Sequence, residues 1–143
     1  MSTDLYARMR ALSHAHFKTL WEMVKAGAEL EKDDQTVGAA MKEHTEYHHV
    51  WERADQYGER EVLVKGANPF MHVIFHAIIE NQIRDNDPPE VAETLMKLQK
   101  KGVSRHEAIH RLGGALAEET WHMLKSQKPY DAARYVKKIK RLL

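Results

Sequence analysis

The spacing of apolar residues along the chain predicts helices throughout. Apolar positions recur every three or four residues, and the period-two alternation of half-buried strands is missing. The pattern predicts helices over residues 3–27, 36–57, 68–84, 89–101, 104–125 and 129–143. Because no repeat, low-complexity tract or flexible linker interrupts it, residues 1–143 are predicted to form a single all-α domain, a bundle of about six helices.

The segment over residues 68–84 is the most informative of these helices. It begins with Asn68 and Pro69, a capping residue followed by the residue preferred at the first helical position. Apolar side chains cover almost its whole circumference, which is typical of a central helix. The polar exceptions His72, His76 and Glu80 follow one another at four-residue intervals and therefore share one face.

The same spacing recurs on two other predicted helices. His44, His48 and Glu52 repeat the triplet in the second helix, while His106 and His110 form a pair in the fifth, with Glu118 further along on the same side. Chance should give roughly one such histidine pair or fewer in a chain with ten histidines. Three pairs on three helices predict that four helices of the bundle surround a common polar site.

A metal ion is the simplest partner for such a group. Buried imidazoles and carboxylates cost several kcal/mol unless they are paired, and one cation satisfies several of them at once. The chain has no cysteine, which excludes thiolate ligation and disulfides. Six histidines and three carboxylates exceed the needs of one tetrahedral ion, so two ions per chain are expected. Iron is favoured, and zinc or manganese also suits these ligands.

Helix one adds one further candidate. Its predicted buried face consists of Leu5, Met9, Leu12, His16, Leu20 and Met23, widened by Phe17, Trp21 and Val24. His16 lies on that predicted face and His14 points elsewhere. His16 is therefore either a buried structural histidine or an additional metal ligand.

One motif suggests a different chemistry. His106 to His110 reads H-E-x-x-H, the zinc-hydrolase pattern in which Glu107 would be the general base. However, Leu116 occupies the place of the third ligand in the longer form of that pattern. Glu107 is also explained by a capping box with Ser104 at the start of the helix. The hydrolase interpretation is therefore the weaker alternative.

Composition limits the partners of the protein. The net charge is only +1 with 30% charged residues, so no overall electrostatic field favours the binding of nucleic acid. The first thirty residues contain neither a signal-peptide pattern nor a membrane-spanning run. We therefore expect a cytoplasmic protein whose partners are metal ions, with no nucleic acid and no membrane.

Three segments resemble a small bacterial family of unknown function. These are EHTEYH at residues 43–48, NPFMHVIFH at residues 68–76, and the later HxxxH followed by LAEETW at residues 116–121. The family is marked by His-Pro-Glu-Tyr-His, Asn-Pro-Phe-Leu-His-x3-His and HxxxH segments. The resemblance runs from about Phe17 to Leu142, and this chain departs from it with Thr45 in place of proline. It implies site residues at His44, His48, His72, His76, His106, His110 and Glu118.

These observations leave three classes of function open. The first is a dinuclear non-haem metal protein of oxidative, oxygen-binding or hydrolytic type. The second is a non-catalytic metal carrier, store or sensor. The third is a helical interaction module whose histidines are structural. An open coordination position would favour the first class, and a saturated ligand shell the second.

Overall fold

The computed structural model describes the backbone of residues 2–143, and the side chains of residue 11 and residues 13–143. Over this range the chain forms seven α-helices: α1 Ser2–Ala26, α2 Lys32–Glu43, α3 His48–Glu52, α4 Pro69–Asp85, α5 Pro89–Lys100, α6 Arg105–Ser126 and α7 Ala132–Lys140. Residues 2–143 contain no strand, only an isolated bridge between Val64 and Ala67. The predicted all-α class is confirmed.

The chain divides into two compact units, Met1–Ile74 and Phe75–Leu143. The boundary falls inside α4, which is a continuous helix. A boundary of this kind leaves no glycine-, proline- or serine-rich linker in the sequence, so the composition could not reveal it.

An aromatic core holds the first unit together. Trp51 is fully buried, and its indole N–H donates to the carbonyl of Met41 at 3.0 Å. Phe17 and Phe70 pack against Trp51 with ring centroids 5.7 and 5.3 Å from its own. These edge and offset contacts add to the free energy gained from burying three large apolar rings.

The predicted second helix over residues 36–57 is wrong as a single element. Helix α2 ends at Glu43, and His44 leaves helical geometry with φ −85° and ψ 74°. The chain continues through a 3-10 turn at Thr45–Tyr47 into the short helix α3. The ring of His44 donates from Nδ1 to the carbonyl of Ala40 at 2.8 Å, and the same carbonyl accepts the His44 backbone N–H at 3.1 Å. His44 and His48 therefore do not share a helical face.

Helix α1 turns a different face to the core from the one predicted. The side chain of His14 is 3% exposed, and its Nδ1 donates to the carbonyl of Gly58 at 2.9 Å. The side chain of His16 is instead 61% exposed. The buried face consists of His14, Phe17, Leu20 and Trp21. Of the predicted face, Leu5, Met9 and Leu12 lie outside the residues whose side chains are described.

The helix starts follow the capping chemistry of the sequence. Asn68 Oδ1 accepts the backbone N–H of Phe70 at 3.0 Å, which caps α4. Ser104 Oγ accepts the backbone N–H of Glu107 at 3.2 Å, which caps α6. The last helix begins at Ala132 with Asp131 as its cap, slightly later than predicted.

The second unit buries the apolar faces of α5, α6 and α7 against the second half of α4. Its core consists of Ile79, Val91, Leu95, Leu98, Ala108, Ile109, Leu112, Ala115, Leu116, Tyr135 and Ile139. Tyr135 is fully buried and donates from its hydroxyl to Gln82 Oε1 at 2.8 Å. Burial raises the pKa of Tyr135, so this hydroxyl remains a donor across the physiological range.

Helix α4 is less central than its composition predicts. Met71 and Ile78 are 41% and 36% exposed, while Val73 and Ile79 are fully buried. Among residues 2–143, none of the helices combines the length and the apolar character that a membrane span requires.

Candidate metal centre

Helix α4 carries two histidines one turn apart, and each contacts another histidine within its own unit. In the first unit, Nε2 of His72 lies 3.1 Å from Nε2 of His44. In the second unit, the rings of His76 and His110 meet edge to face with centroids 4.5 Å apart. His44, His72, His76 and His110, here called the four-histidine group, each offer a ring nitrogen as a candidate ligand. Four of the six predicted histidines therefore belong to a group that is compatible with a metal site.

His44 is oriented by the end of α2. Because its Nδ1 proton is donated to the Ala40 carbonyl, the neutral ring carries its lone pair on Nε2. That lone pair faces His72. A hydrogen bond from a backbone carbonyl to the far nitrogen is the usual way in which a metal-binding imidazole is held in place.

The 3.1 Å separation of the His44 and His72 nitrogens suits a shared ion. Two nitrogens bound to tetrahedral zinc at about 2.0–2.1 Å lie roughly 3.3–3.4 Å apart. Without an ion, the same separation allows His72 to donate from Nε2 to His44. Apart from the ion itself, the metal-bound and metal-free states of this pair differ only in which ring nitrogen of His72 carries the proton.

Tyr47 forms an aromatic wall beside this pair. Its ring stacks on His44 with centroids 5.9 Å apart and meets His72 edge to face at 5.6 Å. Burial, together with the charge of Glu46, raises the pKa of Tyr47. Its hydroxyl is therefore a neutral phenol at physiological pH rather than an anionic ligand.

The second-unit pair is more deeply buried than its neighbour His106. His76 is 5% exposed, and the Nε2 atoms of both His76 and His110 are buried. The ring of His106 lies 4.5 Å from that of His110 and 5.7 Å from that of His76, but its side chain is exposed. The predicted pair His106 and His110 thus spans the border between solvent and interior.

None of the three predicted carboxylates belongs to the four-histidine group, and each of them faces a cation. Glu52 accepts from the Trp21 indole and from Lys25, both at 2.8 Å, and Lys25 followed by Trp21 holds the pKa of this carboxyl below its usual value. Glu80 accepts two hydrogen bonds from Arg105, at 2.7 and 3.1 Å. Glu118 is 57% exposed, and the Lys138 amine lies 4.0 Å away.

Two predicted histidines are also placed elsewhere. His48 packs on Trp21 with ring centroids 4.7 Å apart, and its Nε2 donates to the Lys42 carbonyl at 3.0 Å. His16 is exposed, and its Nε2 lies 3.5 Å from Asp34. His48 is not in the four-histidine group because α2 ends at Glu43, before it. His16 is not in the group because α1 turns a different face to the core from the one predicted.

The H-E-x-x-H motif serves the beginning of α6. Its Glu107 donates a backbone N–H to Ser104, while its carboxylate accepts from Arg111 Nε at 3.1 Å. Of the two histidines in the motif, His110 belongs to the four-histidine group. The local contacts of Glu107 are thus those of a helix start.

The second unit also contains a buried ion pair that the sequence pattern did not indicate. Glu119 is fully buried, and Arg134 donates from Nε to its two carboxylate oxygens at 2.6 and 2.8 Å. The sequence pattern placed Glu118 on the histidine side of the helix, but the structure buries Glu119 and leaves Glu118 57% exposed. The available signal was on α7, where Arg134 and Lys138 are four residues apart beside the buried Tyr135 and Ile139.

The fold and the cluster together define an all-α protein with a four-histidine group compatible with a metal site. A family model matches residues 9–141, and the chain belongs to that family, described as "Domain of unknown function (DUF1841)". The predicted membership of an uncharacterised family is confirmed. Comparisons with curated proteins and with solved structures found no match.

Proposed function

We propose that this protein binds one divalent transition-metal ion, with Zn²⁺ preferred, through His44, His72, His76 and His110. The observation that carries the proposal is the pairing along α4. His72 faces His44 at 3.1 Å, and His76 faces His110 with centroids at 4.5 Å. His72 and His76 are one turn apart on the continuous helix α4, so both side chains share one face of that helix.

Burial supports an ion as the shared partner. His44 and His76 are 1% and 5% exposed, and a cluster of imidazoles cannot be protonated together without strong repulsion. Neutral imidazoles are good ligands for zinc, iron, copper and nickel. An ion would use the lone pair of each neutral ring and so hold the imidazoles together without protonating any of them.

The placement of the carboxylates favours one ion over the two expected from sequence. A carboxylate-bridged dinuclear site needs Glu52, Glu80 or Glu118 near the histidines. Each of these faces a lysine or an arginine instead. The same observation moves the preference from iron to zinc, because four imidazoles complete a tetrahedral zinc shell.

A complete ligand shell favours a carrier, store or sensor over an enzyme. Catalytic zinc keeps one position for water or substrate, whereas closed four-ligand shells are typical of non-catalytic sites. Cobalt substitution tests this point, because the visible spectrum of Co²⁺ reports coordination number. A spectrum that azide leaves unchanged indicates a closed shell; a clear shift with azide indicates an open position and favours an enzyme.

The stoichiometry is the direct test of the proposal. Untagged protein, stripped and then loaded with Zn²⁺, is expected to retain close to one ion per chain after gel filtration. Elemental analysis measures this value. About two ions per chain would restore the dinuclear hypothesis, and a value near zero with zinc and with iron would refute metal binding at this site.

Two variants separate the histidine group from the hydrolase motif. His76→Ala removes a ligand and leaves a small void, so metal content should fall sharply and the free energy of unfolding should drop by at least about 1 kcal/mol. Glu107→Gln should be mild, because the cap uses the backbone N–H of Glu107 and the ion pair of its carboxylate with Arg111 is solvent-exposed. His49→Ala, at an exposed position of α3, is the matched control. Full metal content in His76→Ala, with loss of a hydrolytic activity in Glu107→Gln, would contradict the proposal.

A further inference from the structure

Three histidines of the second unit differ in exposure from the interior to the solvent. His76 is buried, His110 is half-buried and His106 is exposed. The His106 ring lies 4.5 Å from that of His110, which lies 4.5 Å from that of His76. A solvent-exposed imidazole thus stands beside the buried pair, although His106 is not in the four-histidine group.

The surroundings of His106 hold the start of α6 in place. Arg105 is bound to Glu80 through two hydrogen bonds, and Glu107 is tied to Ser104 and Arg111. The backbone of His106 therefore lies between two anchored residues in the first turn of the helix. Its ring stays at the border between solvent and the buried histidines.

We infer that His106 is the ligand through which the ion enters and leaves the centre, an inference that rests on the proposed function. A hydrated divalent ion gives up its waters at a large free-energy cost if all leave together. His106 and His110 bind the ion at the surface while it retains several waters. The remaining waters are then replaced one at a time as His76 and the other buried histidines bind, and His106 is released.

This role predicts that His106 affects the rates of metal uptake and release but not the number of bound ions. A ligand used only during transfer stabilises the intermediate of uptake and of release alike. Its removal should therefore slow both rates while leaving the number of bound ions unchanged. A resident ligand would instead change the stoichiometry or the affinity when it is removed.

The test uses the whole chain and Co²⁺ as the probe. Stopped-flow absorbance follows Co²⁺ uptake by the stripped protein, and transfer to excess EDTA follows release. His106→Ala is expected to slow both processes several-fold and to retain the wild-type stoichiometry. His106→Asp, which keeps a metal-binding side chain, is expected to recover much of both rates. His122→Ala, on the same helix but outside the group, is the matched control.

The outcomes separate the inference from the proposal on which it rests. If the wild type binds no Co²⁺ or Zn²⁺, the proposed function fails. If it binds but His106→Ala leaves both rates unchanged, the transfer role of His106 is wrong and the site stands. Loss of the ion from a normally folded His106→Ala variant would make His106 a resident ligand and overturn the inference. Failure of His106→Asp to restore the rates would likewise overturn it.

Discussion

Removing the metal is expected to lower the melting temperature of the protein by many degrees. An ion that binds only the folded chain stabilises it by mass action, by about 4.1 kcal/mol when its free concentration is 1,000 times Kd. For a chain of this size, 1 kcal/mol corresponds to roughly 2–4 °C, which gives an expected shift of roughly 8–16 °C. Differential scanning calorimetry of Zn²⁺-loaded and chelated samples measures this shift.

The metal-dependent stability should also depend on pH in a defined direction. Protons and the ion compete for the same imidazole lone pairs, so the contribution of the ion is present above the pKa of free imidazole and is lost as the pH falls. Below about pH 5.5, one unit under the reference histidine value, the loaded and chelated samples should melt together. His49→Ala should behave as the wild type does. Equal melting temperatures for the two samples at neutral pH would show that no ion stabilises the fold.

Breaking the Glu119–Arg134 pair is expected to destabilise the second unit by about 3–5 kcal/mol. Glu119 is fully buried, and Arg134 binds its two carboxylate oxygens at 2.6 and 2.8 Å. Arg134→Leu would leave a buried carboxylate with no cation beside it. Denaturant unfolding of this variant measures the loss, and Lys137→Ala, at an exposed position of α7, is the control.

A second variant identifies the cause of that loss. Arg134→Leu combined with Glu119→Leu should recover much of the stability, because no charge then remains buried. A single variant as stable as the wild type would show that the pair contributes little.

Helix starts were well predicted because their chemistry is local. Asn68 and Ser104 cap α4 and α6 through backbone groups two or three residues away. Such contacts depend on nearby residues alone, so a pattern of a few letters is sufficient to identify them. The predicted helix over residues 89–101 is likewise close to α5, because its strong amphipathic spacing leaves only one face to bury.

The break at His44 had no comparable local signal. In the resembling family a proline follows this histidine, and the residue before a proline disfavours helical geometry. This chain has Thr45 instead, so the sequence reads as a continuous helix. Where α2 ends, the His44 ring donates to the Ala40 carbonyl while it faces His72. His72 is distant in sequence, so the interruption depends on tertiary packing.

By itself, the sequence determined the all-α class, most helix limits and the presence of a histidine cluster on α4. These depend on periodicity and on spacing within single helices. Only the tertiary structure decided which histidines and carboxylates meet. On α1 the structure buries His14 where the pattern predicts His16, two positions along, and on α6 it buries Glu119 where the pattern predicts Glu118, one position away. The rotation of a helix about its axis is set by packing against distant residues, and a difference of one position turns a side chain by about 100°.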